Sequence, residues 1–205
     1  RRSLPERGAT PVADAGGRGA GKGLFFVGFT LGFVGYGMIM STLGLVLKEA
    51  VGTGVYIGGV FVGVATLTGA MMATRWVFDL AAPILGAFCD RYGRGVGGLV
   101  FFWCGAVALG LAAVAVAWTW IGLALLLFFF CATGAVVALS AEAGVRGSRA
   151  VATYATALDA GSCVGPLLAW TMPEFAWPTE WVFALGAGFY VAAGGVALRS
   201  CGRGG

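Results

Sequence analysis

Gly86-Ala87-Phe88-Cys89-Asp90-Arg91-Tyr92-Gly93-Arg94 gathers three charges and two glycines between two long, almost uncharged apolar segments. In that setting a cluster of charge and glycine reads as a short turn at a membrane edge, with one helix arriving and another leaving.

Composition points the same way. Charged residues make up 11% of the chain, hydrophobic residues 59%, and the mean hydropathy is +0.90, whereas a soluble domain carries roughly 25% charge. Glycine accounts for 37 of 205 residues, interleaved with large apolar groups and without the triplet period of collagen. That mixture suits close helix packing in lipid.

A helix needs about 20 apolar residues to cross about 30 Å of hydrocarbon. Working outward from the turn, six runs qualify: 24–47, 57–89, 96–118, 120–141, 151–172 and 181–198. The second is too long for one upright span and too short for two, so it reads as one tilted helix with an irregular, glycine-bearing start at Gly58 and Gly59. The chain therefore divides into a basic, flexible leader or linker at 1–23, a six-helix transmembrane domain at 24–199, and a short tail at 200–205. The fold class is all-α, polytopic and multi-pass.

Loop charge tests this division, because short cytoplasmic loops collect Lys and Arg. With six spans, Arg1, Arg2, Arg7, Arg18, Lys22, Arg91, Arg94, Arg146, Arg149, Arg199 and Arg203 fall on one side and Lys48 alone on the other. Both termini are then cytoplasmic, in a plasma or inner membrane. Trp118 and Trp120 flank one outer link, and Trp170, Trp177 and Trp181 bracket the last, at the level where amphipathic rings prefer to sit.

Three ionisable residues lie within the spans. At the helical rise, Asp79 is roughly 16 Å and Asp159 roughly 15 Å from the cytoplasmic edge, which puts both near the midplane. Arg75 precedes Asp79 at i to i+4 spacing and can pair with it along one helix face. Asp159 has nothing basic beside it in sequence, leaving it to find a partner across the bundle. Alternation of Arg75 between the two aspartates offers a proton-coupled switch. Pro83 and Pro166 stand beside the acids as helix breaks, freeing the carbonyls of Asp79 and Ser162. Gly28 and Gly32, Gly59 and Gly63, and Gly161 and Gly165 recur four apart as small-residue packing faces. Tyr36 and Tyr154 are candidate cavity residues.

Gly86, Asp90, Arg91, Gly93 and Arg94 match the Gly-x-x-x-Asp-Arg-x-Gly-Arg signature that follows the second helix of a six-helix half in the major facilitator superfamily, which this chain resembles. The usual leucine is Phe88 and the usual final basic residue is Gly95. Asp159 to Pro166, ending in Gly165-Pro166, is similar to a Gly-Pro element of the fifth or eleventh helix of that superfamily. The resemblance implies a secondary carrier working by alternating access, with this chain as one half, the basic leader favouring the C-terminal one. It also implies that the signature loop is a gate, with Asp90 pairing at a helix end to hold the cytoplasmic side shut.

The partners expected are a small solute, with an anionic group suggested by Arg75, the lipid bilayer and the other six-helix half; no nucleic acid is expected. There is no His, the five Cys lack Cys-x-x-Cys spacing, and no phosphate-binding glycine loop is present, so no enzyme activity, cofactor or metal is expected. Cys89, Cys104, Cys131 and Cys163 read as small apolar packing groups. The rival reading is a non-transporting membrane scaffold or assembly subunit whose buried charges only pair helices.

Overall fold

In a computed structural model, residues 18–201 are described, with side chains for 21–197, and they form six helical rods and one β-hairpin. The first rod joins α1 (Arg18–Thr30), a π-helical stretch (Leu31–Ile39) and α2 (Met40–Val51). The hairpin follows as β1 (Gly54–Ile57) and β2 (Val60–Gly63). The second rod joins α3 (Val64–Phe78), a 3-10 turn (Asp79–Ala81) and α4 (Ala82–Tyr92). The remaining rods are α5 (Arg94–Val114), α6 (Trp118–Arg146), α7 (Ser148–Glu174) and α8 (Glu180–Cys201).

Five segments are long and apolar enough to cross a membrane: Gly21–Val51, Val64–Tyr92, Arg94–Val114, Trp118–Arg146 and Glu180–Ala197. The protein is thus a mostly helical membrane protein. The expected fifth span falls on α7, a helix 27 residues long that is not among these five; Arg149, Thr153, Thr156, Asp159 and Ser162 dilute its apolarity.

Two boundaries differ from the sequence expectation. Helix α1 begins at Arg18 and α8 runs to Cys201, so part of the leader and of the tail is helical; extending an existing helix past its apolar run costs little. The rest of both segments lies outside the described residues. The expected helical start at 57–63 is instead the hairpin: Gly58 and Gly59 take φ of 60° and 84°, and consecutive left-handed residues build the two-residue turn that matches strand twist. Tyr56 pairs with Phe61 and Val55 with Val62, and the Val64 N–H closes the base on the Thr53 carbonyl at 3.0 Å. Gly59 and Gly63 are therefore turn and strand residues, with no part in helix packing.

Pro83 does mark a break, and its mechanism is corrected. The Asp79 carbonyl is not left free, because the Ala82 N–H takes it in the 3-10 turn. Pro166 breaks nothing, since α7 continues through it to Glu174.

At one end of the bundle the rods are joined by single glycines. Gly93, at φ 92°, separates α4 from α5, and Gly147, at φ 99°, separates α6 from α7. Both backbones need a conformation that side chains with a Cβ resist. Packing is regular: the first rod lies on the fifth and sixth, the fourth on the second and third, and the third on the sixth, while the first also meets the second and the fourth meets the fifth.

The closest approach is between the first and fifth rods. A methyl on Gly32 would overlap the Leu158 carbonyl, one on Gly161 the Phe29 carbonyl, and one on Gly165 the Phe33 carbonyl, while one on Gly37 would lie 2.7 Å from the Gly165 Cα. Gly28 fits against Tyr154 in the same seam. Elsewhere glycines are recesses for rings: Gly105 receives Tyr190 and Gly134 receives Phe101. Tyr190 is fully buried between Phe102 and Phe128, with ring centroids 5.1 and 5.2 Å away.

Gly161→Ala and Gly32→Ala are expected to lower stability by about 1–3 kcal/mol through overpacking. Gly110, in α5, is the control, because a methyl there would have no neighbour within 4 Å. Gly110→Ala should be neutral or stabilising by up to ~1 kcal/mol. Thermal unfolding of the purified variants in detergent checks the contrast.

Candidate functional site

Halfway along three rods, four side chains meet. Tyr36 comes from the π-helical stretch, Arg75 and Asp79 straddle the junction of α3 with the 3-10 turn, and Thr133 lies at the middle of α6. The Arg75 Nη1 donates to Asp79 Oδ1 at 2.8 Å and to Thr133 Oγ1 at 3.0 Å, and Nη2 donates to the Tyr36 hydroxyl at 2.6 Å. The Thr133 hydroxyl donates in turn to Asp79 Oδ1 at 3.1 Å. Guanidinium, hydroxyl and carboxylate thus close a triangle, and Arg75 also lies 5.1 Å from the Tyr36 ring centroid and 5.8 Å from that of Trp76.

Burial within the pair is unequal. The Arg75 side chain is 4% exposed and that of Asp79 42%. A charge at bilayer centre costs roughly 2.5–3.5 kcal/mol on insertion scales, and here each charge supplies the other's counter-ion. The Arg75–Asp79 pairing expected from i to i+4 spacing is present. Thr133 was not legible, because a threonine in an apolar run carries no charge or spacing signal; its mid-span position opposite Arg75 follows only from the parallel packing of the second and fourth rods.

Asp159 lies apart from this cluster. It is exposed on α7, twelve residues into the helix, and has no hydrogen bond or ion pair among the described residues. The expected switching of Arg75 toward it is not seen, since the guanidinium is engaged by Asp79, Thr133 and Tyr36. Tyr154 is 6% exposed, wedged against Gly28, and its hydroxyl has no hydrogen-bond partner among the described residues. The Tyr190 hydroxyl, beside Gly35, is likewise without one. Gly161 and Gly165 serve the seam with the first rod. Cys89 and Cys131 are buried, and Cys104 and Cys163 exposed.

In the signature turn, Arg94 Nη2 lies 3.5 Å from Asp90 Oδ1 across Gly93, and Arg91 lies 5.6 Å from the Tyr92 ring centroid. The Asp90 side chain is 68% exposed, a setting in which an ion pair contributes at most about 1 kcal/mol. Gly86 packs toward Val137 of α6. At the equivalent turn around Gly147, Arg146 pairs with Glu142 at 2.8 Å. At the opposite end the Thr179 hydroxyl bonds the Glu49 carboxylate, tying the first rod to the link ahead of the sixth.

Among the described residues no group of His, Cys, Asp and Glu could hold a metal. The chain matches no family model and no curated protein.

The unequal burial predicts unequal mutants. Asp79→Asn strands a buried guanidinium and should cost about 3 kcal/mol or more, whereas Arg75→Gln leaves a half-exposed carboxylate and should cost less. The double variant should be more stable than Asp79→Asn alone. Thermal or denaturant unfolding of the three variants measures this.

Proposed function

We propose that the protein is a secondary transporter that moves a small solute by alternating access, as one six-span half of a major-facilitator-type carrier. The observation that carries this reading is the packing order of the rods. Exchanging the first three with the last three turns first-on-fifth into fourth-on-second, first-on-sixth into fourth-on-third, and first-on-second into fourth-on-fifth, all of which occur, while third-on-sixth maps onto itself; second-on-third alone has no comparable counterpart between the fifth and sixth among the described residues. The shared direction of the first and fifth rods and of the second and fourth obeys the same exchange. This is the pattern of nested three-helix inverted repeats.

Two further features agree. The Asp90–Arg94 signature sits between the second and third rods, at the same end as the turn between the fourth and fifth, and each of these single-glycine turns stands beside an i to i+4 ion pair. The ionisable cluster lies at mid-height, where such carriers hold their solute. In this reading α7 is the fifth of six spans, its polar face turned to a pathway, and Asp90 with Arg94 closes the basic end.

A scaffold with purely structural charges is favoured by the closed pairing of Arg75, and Asp159 separates the two readings. Cys163 lies one turn from Asp159 and is exposed on the same rod. With the other cysteines replaced by serine, a membrane-impermeant maleimide should label Cys163 in reconstituted vesicles, and from opposite sides as the carrier cycles. Absence of labelling from both sides would mean that α7 faces lipid or a sealed contact and would overturn the carrier.

A further inference from the structure

We propose that the β-hairpin is an interfacial anchor, lying along the bilayer surface on the side opposite the basic turns, with its tip among the lipid headgroups. This rests on the membrane-spanning rods and not on the carrier reading. Between Glu49 and Arg75 there is no Asp, Glu, Lys or Arg, and from Val51 to Val64 the only polar side chains are those of Thr53 and Tyr56. A hairpin with one face in water alternates apolar and polar residues. Here both faces are apolar, Val55, Ile57, Val60 and Val62 forming one and Tyr56 and Phe61 the other.

Only the base of the hairpin finds cover within the protein. Val55 and Val62 pack against the core, on the two rods that the hairpin joins. The Phe61 ring folds back over Gly54, where a methyl would lie 2.8 Å from its Cζ, and meets Tyr56 edge to face at 5.4 Å between ring centroids. Toward the tip Tyr56 is 76% exposed, Ile57 49%, Val60 65% and Phe61 52%. The rods on either side already meet lipid, and the hairpin extends that apolar surface beyond their ends.

Its level follows from the chain around it. The hairpin begins just past Glu49, whose carboxylate takes the Thr179 hydroxyl bond, and exposed Trp177 and Trp181 flank that threonine, the rings expected at headgroup level. Two requirements then set the depth. The apolar tip is unsuited to water, while the outer edges of a two-stranded sheet, unpaired among the described residues, are unsuited to hydrocarbon, where nothing satisfies them. The headgroup layer meets both, offering apolar depth to the side chains and water to the edges. A four-residue strand is about 13 Å long against roughly 5–7 Å of headgroup layer on each side, so the hairpin fits lying flat. With no charge in 50–74, its attachment needs no anionic lipid.

The test places a nitroxide spin label at Ile57→Cys and, separately, at Val60→Cys in the full-length protein, reconstituted in phosphatidylcholine vesicles. Cys104, Cys163 and Cys201 are replaced by serine, and the buried Cys89 and Cys131 remain. Collision with oxygen, which concentrates in lipid, is compared with collision with a water-soluble nickel chelate. Expected for both labels is a depth between the phosphates and the upper acyl chains, shallower than a label at exposed Val107→Cys in α5, and unchanged when phosphatidylglycerol is mixed in. A label as hydrated as one in bulk water, one shielded from both reagents by protein, one as deep as that at Val107, or a depth that follows the phosphatidylglycerol content would each overturn the proposal. Should the cysteine variants fail to fold, photocrosslinking from benzoylphenylalanine in place of Tyr56, with every native cysteine kept, decides the matter. Adducts with lipid support the anchor, and adducts with a second copy, or none, overturn it. Labelling at Cys163 has no bearing on these outcomes, so the carrier and the anchor stand or fall separately.

Discussion

A guanidinium halfway across a helical membrane protein has to be satisfied on every side, and the placement of Arg75 organises much of this molecule. Its donors reach Tyr36 on the first rod, Asp79 on the second and Thr133 on the fourth. Three rods are thereby fixed to one another in height as well as in separation, since a shift of one residue along any of them would carry a partner out of hydrogen-bond range. Thr133 accepts from Arg75 and donates to Asp79, so the one neutral hydroxyl completes both charges. The pair is electrostatically closed toward the interior and open toward the surroundings, which gives the second rod a charged face without an unpaired interior charge.

The first rod meets that demand by departing from α-helical geometry. In a π-helical stretch residues five apart share a face, and Gly32 and Gly37, five apart, both face the fifth rod. Across the seam Gly161 and Gly165 are four apart, the ordinary α spacing. Lipid supplies no hydrophobic drive between helices, so such contacts rest on close van der Waals approach, and four glycines without side chains let the two backbones touch. The widened helix also carries Tyr36, so the same local irregularity serves the seam and the ion pair.

Much of this was readable in the residues. The apolar runs, the charge asymmetry between their ends, the pairing of Arg75 with Asp79 and the packing role of Gly161 and Gly165 all follow from spacing and polarity. What was not readable depended on the third dimension. Gly58-Gly59 signals a hairpin turn as plainly as a helix irregularity, but an apolar run on both sides drowned the alternation of Tyr56 and Phe61. Thr133 and Gly37 became significant only once the rods were set side by side, as did the inward aim of Arg75. Proline was over-read: Pro166 rides within an unbroken helix against Gly37, and the turn at Asp79 recaptures the carbonyl that Pro83 could not.

The glycine joints at Gly93 and Gly147 act as fulcrums. Each is one residue long, so the second and third rods, and the fourth and fifth, are pinned together at the same end of the molecule, while the connections at the other end, 115–117, 175–179 and the hairpin, are longer. The fourth rod, 29 residues in length, is a lever about 43 Å long. Tilting it about 10° on such a pivot leaves the pinned tip in place and sweeps the free tip through roughly 7 Å, more than a helical turn, so any rocking within these rods is amplified at the hairpin end.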